Sequence, residues 1–248
     1  MSKSRAVLSH LMPSILVLAT LAGLILFAWY PYPFRHFGES GKFAALLIFA
    51  AVCLAPALTW FVYKPGKRGL LFDLWVIVII QLAAIAWGTF SLYQSRPYFM
   101  VHTVDRFEVF LKRDVDTERI TDPKFLDKPL TGPILLHADM PSDPVAFQKF
   151  LKEVMFEGKP DLQYRPEFWS LYTEKQKMVL EKSGLLEDLY KARPESFNAI
   201  NQLINKSGRD IGQLRYVPAL FADGQFAVIL DANSGEVVDM LMIDPWLK

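Results

Sequence analysis

The pattern of apolar and polar positions changes character near residue 95. Before that point, three uncharged apolar runs at 11–34, 43–63 and 74–95 follow one another with short polar breaks. At 1.5 Å per residue, each is long enough to cross a hydrocarbon layer of ~30 Å. After Arg96 no such run recurs, and the apolar positions fall into short segments with the periods of strands and amphipathic helices. The fold class this predicts is a membrane protein: three N-terminal transmembrane α-helices followed by an α+β extracytoplasmic domain with an antiparallel sheet. The membrane domain covers 1–95, with spans at about 11–34, 43–63 and 70–95, and the head covers 96–248.

Within the head, residues 98–111 have strand character. Phe99, Val101, Phe107, Val109 and Leu111 share one parity, which Thr103 and Asp105 interrupt. Residues 112–133 are charged and broken by Pro123, Pro129 and Pro133, a loop. ILLHA at 134–138 is a short buried-strand candidate. Asp143 with Pro144 opens a helix whose Phe147, Phe150, Leu151 and Val154 recur at helical spacing, with Gly158 as its stop. Thr173 and Gln176 form a capping-box pattern ahead of Met178, Val179 and Leu180. A short helix follows over Leu185–Ala192. Another opens at Pro194, carries Phe197, Ile200 and Ile204, and closes at Gly208. Segments 214–221, 225–231 and 235–243 are rich in β-branched and aromatic residues and are joined by turn residues, an antiparallel meander. The expected arrangement is a sheet covered on one face by the helices.

Charge then orients the chain. Residues 1–95 carry seven Lys/Arg and two acids, a net of +5, and the remainder carries 20 Lys/Arg and 24 Asp/Glu, a net of −4. A mildly acidic head lacks the basic stripe that nucleic acid requires. Lys3, Arg5, Lys64, Lys67 and Arg68 flank the spans on one side, against Arg35 and Lys42 on the other. The positive-inside rule therefore puts the N-terminus in the cytoplasm and the head in the periplasm of a bacterial inner membrane. Aromatic residues mark the interfaces, among them Trp29, Tyr30, Tyr32, Trp60, Tyr63, Trp75, Tyr93 and Tyr98. The first apolar run is over-long for a signal peptide and lacks a small-residue cleavage site, so it is expected to be retained. The lone cysteine, Cys53, falls inside the second run, so no intramolecular disulfide can form and a CxxC redox role is excluded.

Candidate chemistry is sparse. His102 and His137 are the head's two histidines, and His137 with Asp139 hints at a metal or acid–base pair. Two histidines without cysteine make a poor metal site, and His137 is better read as a strand-end residue with a satisfied hydrogen bond. Asp231 to Gly235 resembles a calcium loop, but the glycine comes early and Met242 stands where a glutamate is needed, so a hairpin turn is expected. No catalytic or cofactor-binding signature occurs. The third span is more informative. Asp73, Ile77, Gln81, Ala84 and Gly88 share one helical face, and a mid-span glutamine tends to meet another helix rather than lipid. Small-xxx-small pairs occur at Ala84/Gly88, Ala19/Gly23 and Ala51/Ala55. Such faces either pack the spans together or dock a helix from a client.

Four stretches carry a resemblance to a known family. They are LLFDLWVIVIIQLAAIAWG (70–88), YQSRPYFMVHTVDRF (93–107), RYVPALFADGQFAVILDANSGEVV (215–238) and IDPW (243–246). Together they resemble the type IV pilin accessory proteins of the TfpX/TfpZ type. The resemblance implies a non-enzymatic inner-membrane accessory protein, or membrane chaperone, acting in fimbrial biogenesis. It implies a cognate type IV pilin as partner, with the pilus assembly machinery and the lipid bilayer as further contacts, and no cofactor. The candidate partner-binding residues are Asp73 and Gln81 in the membrane and Arg96, Asp105 and Arg106 at the membrane–head junction. Tyr216 and Trp246 are expected to be packing residues. The alternative from another class is a membrane-anchored periplasmic enzyme or ligand sensor, which requires a concave pocket with convergent polar groups.

Overall fold

The computed structural model describes residues 3–38, 41, 45, 49, 55–64 and 67–247. Its contacts divide the chain into two units: Met1–Pro31 with Glu39–Arg96, and Tyr32–Gly38 with Pro97–Lys248.

In the first unit α1 (Lys3–Leu24) runs into a π-helical turn, Ile25–Trp29, and α3 (Leu70–Gln94) is a 25-residue helix. Leu11–Trp29 and Leu70–Gln94 are long and apolar enough to cross a membrane. Of the expected second span, Ala55–Val62 is helical (α2), while most of 43–54, Cys53 and Ala51 included, lies outside the described residues. The buried positions of α3 are Ile77, Gln81, Ile85 and Leu92, and its large apolar side chains, such as Leu71, Phe72 and Trp87, face outward. Near the end of the helix, the Tyr30 hydroxyl donates to the Leu92 carbonyl at 2.9 Å.

The second unit is built on one sheet. Its strands are β1 (Pro97–Thr103), β2 (Arg106–Leu111), β3 (Ile134–Ala138), β4 (Trp169–Leu171), β5 (Gly184–Leu185), β6 (Leu214–Phe221), β7 (Gly224–Asp231) and β8 (Val237–Leu241). The order is β4-β3-β1-β2-β6-β7-β8, with β5 paired to the start of β6. The meander β6-β7-β8 is antiparallel as expected, but β1 pairs with β3 and β2 with β6 in parallel, so the sheet is mixed. The strand expected over 98–111 is a hairpin turning at Val104 and Asp105. Its two arms present opposite parities to one face: Met100 lies opposite Val109 and His102 opposite Phe107, while Phe99 and Val101 face the other way.

Both faces of the sheet are covered, not one. On the first, α5 (Tyr172–Lys182) supplies Tyr172 and Val179 to a core with Met100, Phe107, Val217, Ala219, Phe226 and Val228. The opposite face is covered in two places. Phe150 of α4 (Pro144–Phe156) joins Phe99, Leu136 and Trp169, while α6 (Leu186–Ala192) and α7 (Phe197–Ser207) cover β6 and β7 through Leu189, Ile200 and Leu203. Helix α4 begins as its sequence predicts, with the Asp143 carboxylate accepting from the Ala146 amide at 2.8 Å. Helix α5 begins at Tyr172, with no side-chain cap. Thr173 lies inside it, because Tyr172 is buried and its hydroxyl donates to the Gly235 carbonyl.

The segment Tyr32–Gly38 is part of this core. Phe34 is 1% exposed and packs edge-on against Phe221 and Phe226, and Phe37 stacks on Phe226. The Gly38 amide donates to Asp223 Oδ1 at 3.0 Å, and the Tyr32 hydroxyl accepts from the Met242 amide at 3.1 Å. A Cβ on Gly224 would fall inside the van der Waals envelope of the Phe37 ring, so the turn has glycine where the ring must approach. The register sets an end for this contact. Parallel pairing brings Phe221 beside Val109 of β2, so the β6–β7 turn lies toward the Leu111 and Pro97 end of the hairpin. The Val104–Asp105 turn, the end of β3 and the start of β4 lie at the other.

Candidate partner-binding surfaces

The expected residues fall into three separate places. Asp73 is in the first turn of α3 and pairs with Lys67 at 2.5 Å, where a carboxylate also favours the helix N-terminus. Eight residues on, Gln81 donates from Nε2 to Ser14 Oγ at 3.0 Å. The glutamine does meet another helix, and that helix is α1 of the same chain. Beside it lies an apolar groove of about 280 Å³ lined by Pro13, Ser14, Val17, Val78, Gln81 and Ile85. The small residues Ala19 and Ala84 are exposed, so they do not form the contact between α1 and α3.

Arg96 stacks over the Tyr93 ring at 3.8 Å. Asp105 and Arg106, expected with it at the junction, are instead at the hairpin turn, at the opposite end of β1 from Pro97. Seven residues of strand span ~23 Å. Arg106 bonds Asp105 at 2.9 Å and lies 5.1 Å from the Trp246 ring, and it borders a hollow shared with Glu108, Asp161 and Gln163. Burial raises the Glu108 pKa, opposed by the hydrogen bond from Gln163. The extended strand Pro97–Thr103 carries the pair away from Arg96, as the strand character of 98–111 already implied.

The same end of the sheet carries a cleft of about 480 Å³ lined by His137, Asp139, Ser142, Lys175, Met178 and Lys182. Parallel pairing places His102 and His137 side by side on β1 and β3, with their Nδ1 atoms 3.0 Å apart and their rings stacked. One imidazole must donate and the other accept, so at least one of the two rings must be neutral. Burial pushes the His102 pKa down to about 3, with His137 and Lys182 adding to the shift. Burial also lowers that of His137, against the pull of Asp139. Asp139 is bound by Lys175 at 2.7 Å and by Ser170 at 2.9 Å. The buried His102 Nε2 has no hydrogen-bond partner. Among the described residues no cluster of three metal-ligating side chains occurs.

The family-like motifs are largely structural. The Asp231 carboxylate caps its turn by accepting from the Asn233 and Ser234 amides, which with Arg209 hold its pKa at about 2. At the C-terminus Arg193 clasps Asp244 at 2.7 Å and the Trp246 carbonyl, and the Trp246 indole donates to Gln225. Tyr216 is buried beside Ala227 and Ile229.

Two helices long and apolar enough to cross a membrane thus accompany a separate α+β unit. The family model "Fimbrial assembly protein FimB" matches residues 1–38, which are the first apolar helix and the Tyr32–Gly38 segment. Along nearly its whole length the chain is similar to two proteins of Dichelobacter nodosus. It is 29% identical to the fimbrial assembly protein of serogroup I over 230 residues, covering 90% of this chain and 89% of that one. It is 28% identical to that of serogroup E1 over 238 residues, with the same coverage. The protein of serogroups C1 and C2 is 35% identical over 108 residues, 43% of this chain and 82% of that relative. The chain belongs to the FimB fimbrial assembly protein family, and the resemblance drawn from its motifs is borne out at this level. No solved structure matches it.

Proposed function

We propose that the chain is a non-enzymatic accessory protein of a bacterial inner membrane that assists assembly of a cognate type IV pilin into pili. The observation that carries this is the similarity, over about nine-tenths of both chains, to proteins named for fimbrial assembly.

Topology supports the same reading. Tyr32–Gly38 and Pro97–Lys248 form one folded unit, so both lie on one side of a membrane. If α3 crosses once between them, the chain from Gly38 to Leu70 must cross once as well. Together with the first helix this makes three crossings, in agreement with the apolar run at 43–63. The five-to-two excess of basic residues then assigns the N-terminus to the cytoplasm and the head to the periplasm.

A pilin awaiting assembly is itself a spanning helix with an extracytoplasmic head. The groove beside Ser14 and Gln81 suits such a helix: it is lined by apolar side chains together with these two polar ones. Asp73 and Arg96 mark the ends of α3 as further contacts. A photo-reactive residue in place of Leu82, on the wall of this groove, tests the reading in living cells. A pilin adduct supports it, and crosslinks confined to the chain itself overturn it.

One observation favours a second reading, a membrane-anchored periplasmic ligand sensor. The His137–Lys182 cleft lies at the carboxyl ends of two parallel strands, where open sheets commonly bind ligands. A thermal shift with small anions, abolished in Lys175→Ala/Lys182→Ala, supports that reading; no shift across a broad anion set removes it.

A further inference from the structure

The cleft at the end of β3 contains a buried polar edge that the chain leaves unmatched. The His137 side chain is 6% exposed, and its Nδ1 faces Nδ1 of His102 at 3.0 Å. The ring's other nitrogen, Nε2, lies 3.6 Å from Asp139 Oδ1, beyond hydrogen-bond length, and has no hydrogen-bond partner among the described residues. His137 and Asp139 line the cleft while His102 does not, so the Nε2 edge is the one turned toward it. Burial lowers the His137 pKa from its ordinary value, so the ring is neutral at pH 7. The Asp139 carboxylate beside it favours the tautomer with the proton on Nε2, in which His102 Nδ1 donates to His137 Nδ1. His137 thus offers an N–H donor to the cleft.

Helix α5 supplies the charge. Lys175, Met178 and Lys182 recur at i, i+3 and i+7, so they share one helical face, and all three line the cleft. Lys175 is paired with Asp139, whose other oxygen accepts from the Ser170 hydroxyl. Lys182 is exposed, makes no ion pair among the described residues, and lies close enough to His137 to add to the lowering of its pKa. With Asp139 neutralised by Lys175, the cleft keeps one uncompensated positive charge and one imidazole N–H. That is a donor for each oxygen of a single carboxylate. A phosphate dianion would bring a second charge with no partner. Beside these donors Val104, Met140 and Met178 are exposed apolar side chains of the same cleft. Its volume of about 480 Å³ is in the range of small-molecule sites.

We propose that this cleft binds a small organic carboxylate with an apolar body, whose oxygens accept from His137 Nε2 and Lys182 and whose body lies against Met140 and Met178. This rests on the ligand-sensor reading above and names the ligand class of that cleft; it does not depend on the pilin reading. The test is calorimetric titration of the full-length chain in nanodiscs, blanked against empty nanodiscs, with isovalerate, isovaleramide, acetate and inorganic phosphate. The expected result is isovalerate binding that weakens about tenfold in Lys182→Gln, the loss of one charge-assisted hydrogen bond. Isovaleramide, which lacks the charge, and acetate, which lacks the apolar body, should each bind at least about tenfold more weakly than isovalerate. Phosphate binding that Lys182→Gln abolishes, without isovalerate binding, leaves the sensor reading standing and overturns this proposal. So does isovalerate binding that Lys182→Gln leaves unchanged, or that the amide or acetate equals. No binding of any probe overturns both.

Discussion

The two units treat apolar side chains in opposite ways. In the sheet, Phe99, Phe107, Phe226 and Val228 are wholly buried and the charged residues lie outside. In α3 the buried face contains Gln81, while Trp75, Ile79, Trp87 and Phe90 are exposed. A sheet that turns its apolar side chains inward suits water, and a helix that turns them outward suits hydrocarbon. Two segments break the rule. Tyr32–Gly38 follows a lipid-compatible helix yet is buried in the head, and α4 belongs to the head yet keeps an apolar arc exposed. The first is an internal link between a segment near the N-terminus and the sheet.

The largest effect is expected from breaking the internal link. Phe34→Ala in the full chain should destabilise the head by about 3–5 kcal/mol, the cost of emptying an aromatic site in a core. Protease resistance of the head in nanodiscs across a denaturant series measures it. Gly224→Ala should also destabilise, and its cost should shrink in a Phe37→Ala background, where the ring no longer occupies the space. Additive effects there would mean that Tyr32–Gly38 does not pack as described.

Acid should act next, through the histidine pair. Both histidines have lowered pKa values in the folded head. The unfolded chain therefore takes up protons first, below its ordinary histidine pKa of ~6.5. Stability should be flat above that value and fall as pH drops toward about 3, the folded value of His102. Asp231 acts with the usual carboxylate sign. Its contribution is present above its unfolded pKa and lost as pH falls toward about 2. Unfolding of full-length His102→Gln followed from pH 7 to 4 should show a shallower decline than the unsubstituted chain. An unchanged slope would separate the pair from acid sensitivity.

Smaller effects belong to the membrane unit. Gln81→Leu should cost ~0.6–2 kcal/mol of helix association, the range for a hydrogen bond between spanning helices. Ser14→Ala should add nothing further in that background. Förster transfer between labels on α1 and α3 in bilayers reads both. At the bottom of the scale, Lys67→Ala should change stability by about 0–1 kcal/mol, since its pair with Asp73 is partly exposed to solvent.

What the sequence made legible was local. The Asp143–Pro144 start of α4, the Gly208 stop and the β6-β7-β8 meander follow from capping and turn chemistry over a few residues. The parallel pairings of β1 with β3 and β2 with β6 join segments far apart in sequence, and no periodicity encodes them. The hairpin turn at Val104 has a positive φ of 29° on a β-branched residue, the opposite of the usual signal. The aromatic residues at 32–37 have the composition of a membrane interface, and only the receiving turn at Asp223–Gly224 distinguishes them as core. Of the candidate site residues, Gln81 was legible as a helix-contact residue because a mid-span amide must find a partner. Asp105 and Arg106 lie away from Arg96 because the extended strand Pro97–Thr103 separates them from it.

The central claim is that this chain serves pilus assembly. Its most direct test is deletion of the gene in the native host, with surface pili counted by electron microscopy and pilin transcript and membrane pilin measured alongside. The expected result is loss of surface pili with transcript and membrane pilin retained, restored by the intact chain. Normal piliation in the deletion strain would contradict it.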